Sequence, residues 1–394
     1  MENETENEKI YCDWAATALF DKEILKNALE QQLLHAGNPS SVHQAGIDAK
    51  KELQNVRERC AKVLGVKSEN IFFTSGGTES DHLPITNLLL RPNKGSIVIS
   101  NIEHPAVTEM AENMKKCGWK VNYARCDKNG FVSAQSVINA LDADTALVCV
   151  MAVNNETGAI QPIEEISAAL TKECAGKRKP KLHVDCVQAA GKIPLNLIKM
   201  DVDSAAFSAH KIGGPRGIGL LYLKEINQQS FLKGGGQEGG VRSGTENLFG
   251  SECMASCLEK YFISAEEDSE TYTRYKMQQV YTKEFIEKLQ TNEKFILIPE
   301  SRKADDNRFS PWIVQCAFKN IPGEVMVRAL SEKGIYISTG SACSSRKMKR
   351  PILEAMGIKG DIAQWGVRFS FGSHTTQFQM ERVVLEVNKI TDSF

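Results

Sequence analysis

Apolar positions along the chain switch between two spacings, and the switching predicts alternating helices and strands. Helical spacing marks residues 21–34, 46–64, 106–117, 270–289 and 324–333 as helices. Short apolar runs at 70–74, 96–100, 145–153 and 205–209, with others near His183, Phe295, Ile313 and Phe369, read as strands. The run 145–153 is almost wholly apolar, the pattern of a strand covered on both faces of a parallel sheet. Strand followed by helix, repeated, predicts an α/β architecture. The opening stretch from Tyr11 to Ala18 is too short and too rich in small residues for a core helix and reads as extended.

The polar residues that interrupt this pattern fall at strand ends. The first strand runs into Ser75-Gly76-Gly77-Thr78-Glu79 and then a helical pattern. Glycines let the backbone approach a ligand, a helix N-terminus offers free N–H groups and Thr78 adds a hydroxyl, so this junction can hold a phosphate; an ordinary capped helix fits equally well. His104 ends the next strand, ahead of Pro105 at a helix start. Asn154 and Asn155 follow the 145–153 run. Asp185 is costly just past its strand unless it meets a positive group, and Gln188, three residues on, can reach the same ligand.

The run 205–209 stops at Ser208, His210 and Lys211 before a glycine-rich turn. A lysine loses its charge readily in a desolvated pocket, and the neutral amine forms a Schiff base with a carbonyl. A surface lysine at a strand end is the other reading. Open α/β sheets bind ligands at this kind of edge, so the gathering of polar groups says more than any one motif. The loop 233–247 interleaves Gly with Gln237, Arg242, Ser243 and Thr245, a composition that suits an anion site in this subunit or a neighbouring one, or else a flexible linker. Glycine and small hydroxyl residues flank Cys343, and Arg346, Lys347, Lys349 and Arg350 follow it closely. That surrounding predicts an exposed loop whose cations favour the thiolate; an incidental thiol on a solvated basic loop is the alternative. Arg368 sits inside a strand pattern, where a buried arginine pairs with an acidic side chain or a substrate carboxylate.

Composition narrows the class. With 394 residues the chain exceeds what one core usually supports, so two domains are expected, with a change of composition near 264–268. Its 42% hydrophobic and 25% charged residues are ordinary for a globular enzyme, and a net charge of -1 argues against a general nucleic-acid binder. The N-terminus is acidic, unlike a signal peptide, and no apolar run approaches the ~18 residues of a membrane span, so a soluble, intracellular protein is expected. The 11 cysteines include no C-x-x-C pair, which fits reduced thiols rather than disulfides or a structural zinc site. Cys253 and Cys257, four apart on a predicted helix, suit core packing.

In their order along the chain, Tyr11-Cys12-Asp13-Trp14-Ala15-Ala16-Thr17, Gly37-Asn38-Pro39-Ser40-Ser41-Val42-His43, the turn from Thr74 to Ser80, Glu103-His104, Asn154-Asn155-Glu156-Thr157-Gly158, His183-Val184-Asp185, Ser208-Ala209-His210-Lys211, Arg242-Ser243-Gly244-Thr245, Gly340-Ser341-Ala342-Cys343 and Arg368-Phe369-Ser370 resemble the cysteine desulfurases. These are class-V aminotransferase-like enzymes of pyridoxal-phosphate fold type I, and the resemblance spans nearly the whole chain. It implies a large, mixed, mostly parallel seven-stranded sheet flanked by helices, plus a smaller α/β domain. Residues 21–265 would form the large cofactor-binding domain, and 1–20 with 266–394 the small domain carrying the Cys343 loop.

The same resemblance implies pyridoxal 5'-phosphate on Lys211, with His104 stacked on the ring and Asp185 paired with its nitrogen. Gln188 and Asn155 would contact the ring oxygen, and Gly77, Thr78, Ser208 and His210 the phosphate. Thr245 would add a phosphate contact from the neighbouring subunit of a homodimer. Arg368, with Asn155, would hold the carboxylate of L-cysteine. Lys211 would move the Cα proton, and Cys343 would take the sulfur as a persulfide and pass it to an acceptor protein for iron–sulfur cluster or other thio-cofactor synthesis in the cytoplasm.

Some positions depart from the common pattern. Trp14 stands where Asn is frequent, Asp81-His82 where Asn-Asn or Asp-Asn is usual, and Gln364-Trp365-Gly366-Val367 where a Ser-Ser-Ile-like segment precedes the arginine. None removes a proposed catalytic group. Ending at Phe394, the sequence omits the C-terminal extension of the housekeeping branch, which argues against a scaffold partner of that type. A selenocysteine lyase, a plain aminotransferase with no use for the Gly-Ser-Ala-Cys loop, and a sulfur-relay partner with weak turnover stay open as alternatives.

Overall fold

A computed structural model describes residues 9–226, 231–264, 269–340 and 350–394. Cys343 and its neighbours from 341 to 349 lie outside the described residues. The chain opens on a two-residue strand, β1 (Ile10–Tyr11), and then builds a seven-stranded sheet from β2 (Ile71–Thr74), β3 (Ser96–Ser100), β4 (Lys120–Ala124), β5 (Thr145–Cys149), β6 (Lys181–Asp185), β7 (Ser204–Ser208) and β8 (Gly219–Leu223). The strand order is β2-β8-β7-β6-β5-β3-β4. Strands β3 to β7 pair in parallel, whereas β8 runs antiparallel between β2 and β7. Only β8 is reversed, so the carboxyl ends of β2, β3, β5, β6 and β7 share one edge.

Strands β2, β3, β5, β7 and β8 are buried along their whole length, as a sheet covered on both faces requires. The edge strand β4 is partly exposed, and its Lys-Val-Asn-Tyr-Ala sequence lacks the continuous apolar run that marks the others. The apolar run 145–153 is longer than its strand: β5 stops at Cys149, while residues 150–153 stay buried and Val153 bridges to Ile160. Burial, rather than strand length, sets the extent of that run.

Helices α1 (Lys22–Leu34), α2 (Gln44–Leu64), α3 (Gly77–Asn87) and α4 (Pro105–Lys116) begin close to where the sequence pattern places them. Asp21 caps α1, accepting the N–H groups of Glu23 and Ile24, and its far oxygen holds Lys260 and Tyr261. The helix Leu248–Tyr261 packs against α1 and α2 and buries Cys253 and Cys257, the core role expected of them.

A second core gathers Ile10, Cys12, Phe285, Phe318, Phe369 and Phe371. It covers a small antiparallel sheet made of β9 (Phe295–Ile298), β10 (Ile313–Phe318) and, after β11 (Ile335–Tyr336), β12 (Gly366–Ser370), ordered β12-β10-β9. Strand β11 pairs in parallel with β1. That pairing, together with Ser370 donating its N–H to Cys12 O, anchors the opening stretch beside the small sheet and leads residues 15–18 toward the end of β7. Trp14 lies over Gly372, where a Cβ would fall 2.0 Å from the indole, so the close packing requires a glycine. Among the described residues no helix is long and apolar enough to cross a membrane, and no cluster of His, Cys, Asp and Glu is placed to hold a metal ion.

Candidate active site

Strand β7 ends at Ser208 and the chain makes one tight turn, Ala209–Lys211. Lys211 Nζ donates to the carbonyls of Ala15 and Ala16, each at 2.7 Å. Gln188 Nε2 donates to the same Ala15 carbonyl at 2.8 Å. The opening stretch is held there by Ala18 N–H to His210 O at 2.8 Å and Ala15 N–H to the Ser370 hydroxyl at 3.0 Å. Sequence pattern placed Lys211 and Gln188 at one edge; it did not reveal that the Ala15 carbonyl ties them together. His210 Nδ1 lies 3.2 Å from Thr17 Oγ1, and burial with nearby cations pushes its pKa down to about 4, so the ring is neutral.

Asp185, the last residue of β6, is buried and accepts the Val187 N–H at 2.8 Å. Burial raises its pKa, and His104, that N–H and Lys211 pull the other way. His104 caps α4: its Nδ1 accepts the Ala106 N–H at 3.1 Å, which puts the proton of the neutral ring on Nε2. Burial holds the His104 pKa below the usual range. The structure therefore gathers Lys211, Asp185 and His104 in one electrostatic group.

Behind Asp185 stands a pair that pattern reading left without a role. His183, two residues earlier on β6, lies with Nε2 3.1 Å from Asp81 Oδ1 on α3 and Nδ1 2.8 Å from the Ser204 hydroxyl. Burial pushes the His183 pKa down to about 3, and Asp81 is raised by burial, then by Asp185 and Glu103. Burial likewise raises Glu103 to about 8, although its carboxylate accepts from Ser100 and the Met151 N–H. His82 Nε2 lies 2.9 Å from Ala106 O at the start of α4. The unusual Asp81-His82 pair thus links α3 to β6 and to the helix that His104 caps.

Helix α3 starts at Gly77, and no side chain caps its first turn. A Cβ on Gly77 would lie 2.8 Å from Val187 Cγ2 and 3.5 Å from Ser208 Cβ, so bare backbone sits against the ends of β6 and β7. Gly77, Thr78 and Ser208 are thereby brought together around free helix N–H groups. Glu79 accepts the Ser75 N–H with one oxygen at 2.5 Å and Arg242 Nε with the other at 2.9 Å.

Arg368 lies buried on β12. Its Nη1 donates to Asn155 O at 2.8 Å and Gly340 O at 3.2 Å, and Nη2 to Asp13 at 2.8 Å. Of the two partners the strand pattern allowed, an acidic side chain is present. Its Nε is nevertheless buried without a hydrogen-bond partner among the described residues. Thr245 is exposed on its glycine-rich loop. Cys343 lies outside the described residues.

Sequence reading missed Lys192. It is buried one turn past Gln188, donates Nζ to Gln188 Oε1 and lines, with Trp14, Lys211, Tyr261 and Trp312, a small cavity of about 40 Å³. A lysine four residues after a predicted ligand contact, directly after Ala189-Ala190-Gly191, was the available signal.

Residues 10–383 match the aminotransferase class-V family, and the chain belongs to that family. The fold agrees: a NifS-like protein of known structure superposes with a TM-score of 0.87 at 33% identity, over 98% of this chain and all of the other. Relatives named cysteine desulfurases match nearly the whole chain. The cysteine desulfurase IscS of Dictyoglomus turgidum is 34% identical over 376 residues, 94% of this chain and 91% of that protein. The IscS of Methanosarcina thermophila is 34% identical over 390 residues, 98% and 93% of the two chains. A structure described as SspA in complex with cysteine matches at 28% identity and a TM-score of 0.78, over 94% of this chain and all of the other.

Proposed function

We propose that the protein is a pyridoxal-phosphate-dependent cysteine desulfurase that converts L-cysteine to L-alanine and passes the sulfur, through Cys343, to an acceptor protein. The observation that carries this reading is the meeting of Lys211, Asp185 and His104 beside the uncapped start of α3. Those features fit the cofactor part by part. Buried Asp185 needs a positive partner and a protonated ring nitrogen is one; the free N–H groups at the uncapped start of α3 suit a phosphate; Lys211 is the amine for a carbonyl.

Bound there, pyridoxal phosphate would supply an electron sink for the charge left when the substrate loses its Cα proton. Asp185 would keep the ring nitrogen protonated. His104, with its Nδ1 held by Ala106, would stack on the ring, and Gln188 with Asn155 would meet the ring oxygen. Gly77, Thr78, Ser208 and His210 would hold the phosphate. Arg368, already oriented by Asp13 and two carbonyls, would turn its unpartnered Nε toward the substrate carboxylate. Lys211 would take and return the Cα proton once the substrate amine had replaced it.

Cys343 would then attack the substrate sulfur as a thiolate. A sulfur–sulfur bond forms as the Cβ–S bond breaks, the electron pair leaves with carbon, and protonation there yields alanine and a persulfide on Cys343. Arg346, Lys347 and Lys349, close in sequence, favour the thiolate. Iron–sulfur cluster or other thio-cofactor synthesis is the consuming pathway this reading implies, in the cytoplasm. Exposed Thr245 suits a phosphate contact across a homodimer, and the core around β9, β10 and β12 suits a small domain of 1–20 with 266–394, packed through Ile298, Ile352 and Met356 on a large domain of 21–265.

Alanine release from L-cysteine and from L-selenocysteine, by wild type and Cys343→Ala, tests the proposal. Wild type should process cysteine and the variant should not. Turnover of cysteine that survives Cys343→Ala would refute the sulfur-transfer step, and activity confined to selenocysteine would favour a lyase.

A further inference from the structure

Lys192 is buried, and among the described residues no carboxylate pairs with it. Its Nζ donates to Gln188 Oε1, and its own carbonyl accepts the Trp312 indole N–H at 2.7 Å. The charged groups bearing on it are cations, Lys211 and Arg368. A buried amine in such company is expensive, and a methionine would fill the same space without the cost. The geometry supplies a use for the amine. Gln188 Nε2 donates to Ala15 O at 2.8 Å, and that carbonyl also receives Lys211 Nζ at 2.7 Å. Ala15 O can only accept and Lys192 donates, so the two contacts together fix which end of the Gln188 amide faces which side.

We propose that Lys192 is a positioning residue: it holds the Gln188 carbonyl so that the amide N–H donors face the Lys211 side, where the oxygen of the cofactor ring would lie. This rests on the cofactor reading above. Burial, then Lys211 and Arg368, hold the Lys192 pKa well below the ordinary lysine range. With the cofactor bound, the Gln188 donors would draw charge from its ring oxygen and so lower the pH at which the loaded protein gives up a proton. Losing the donors should raise that pH.

The test follows the visible absorption band of the cofactor-loaded protein as pH is varied, in wild type, Lys192→Met, Gln188→Ala and the double variant. Lys192→Met should load the cofactor and raise the pH midpoint of the band by roughly 0.5–1 unit, the equivalent of one hydrogen bond. Gln188→Ala should shift it in the same direction, and the double variant no further than the larger single shift. Lys192→Gln, which keeps an N–H donor, should restore the wild-type midpoint; Lys192→Leu replaces the Met variant if that one does not fold. A midpoint unmoved in Lys192→Met while Gln188→Ala shifts it, or additive shifts in the double variant, would overturn the proposal. A reconstituted wild type with no visible band would instead remove the cofactor reading itself.

Discussion

Gly77→Ala separates the phosphate cradle from the stability of the fold. The new methyl would stand 2.8 Å from Val187 Cγ2 and 3.5 Å from Ser208 Cβ, against an ordinary carbon–carbon contact of ~3.5–4.0 Å. Relief requires Val187 to turn or the first turn of α3 to back away by several tenths of an ångström. Val187 also gives its N–H to Asp185, which limits how far its backbone can yield. Retreat of α3 would lengthen the contacts between its free N–H groups and a bound phosphate. Hydrogen bonds to a charged group are worth roughly 1.5–3 kcal/mol, so losing one should weaken pyridoxal phosphate binding about 10- to 100-fold. Alanine is the better helix former by about 1 kcal/mol, which offsets part of the overlap, so the melting temperature of the cofactor-free protein should change little. Titrating cofactor-free protein with pyridoxal phosphate, read by visible absorbance, gives the Kd, and a melt of the same sample reports the fold. A variant that melts like wild type and binds within twofold of its Kd would refute the phosphate site at α3.

The other predictions draw on the buried charges. Glu103 has its pKa raised from 4.5 to about 8, so the folded state holds its proton more tightly than the unfolded state, and stability falls as pH rises from about 4.5 to 8. Glu103→Gln keeps the acceptor for Ser100 and Met151; it should melt several degrees above wild type at pH 8 and match it at pH 4, as differential scanning calorimetry would show. Asp185→Asn should leave cofactor attached to Lys211 but slow alanine formation roughly 100-fold or more, measured by single-turnover kinetics. Borohydride reduction followed by peptide mapping should find the pyridoxyl group on Lys211; its appearance on Lys192, the buried amine of the same cavity, would contradict the assignment.

What could be read beforehand follows physical lines. The sheet was legible because its central strands are buried on both faces and so must be apolar throughout; edge strand β4, largely open to solvent, offered no such run. Lys211, Asp185 and His104 were legible because charged or polar groups at buried strand ends need a reason. Lys192 and the Asp81–His183 pair were not, since their meaning lies in partners from other elements: Gln188 and Trp312 for the lysine, β6 against α3 for the pair. The pairing of Arg368 with Asp13 bridges 355 positions of chain. The pairing of β1 with β11 and the contacts of Ser370 with Cys12, Asp13 and Ala15 bring those two stretches together.

The most direct measurement of the central claim is a single turnover of cofactor-loaded protein with L-cysteine, no reductant present, followed by alanine quantification and mass mapping of alkylated peptides. One alanine per active site and one additional sulfur atom on the Cys343 peptide are the expected result. Alanine formed without sulfur on that peptide, or sulfur carried by another cysteine, would contradict it.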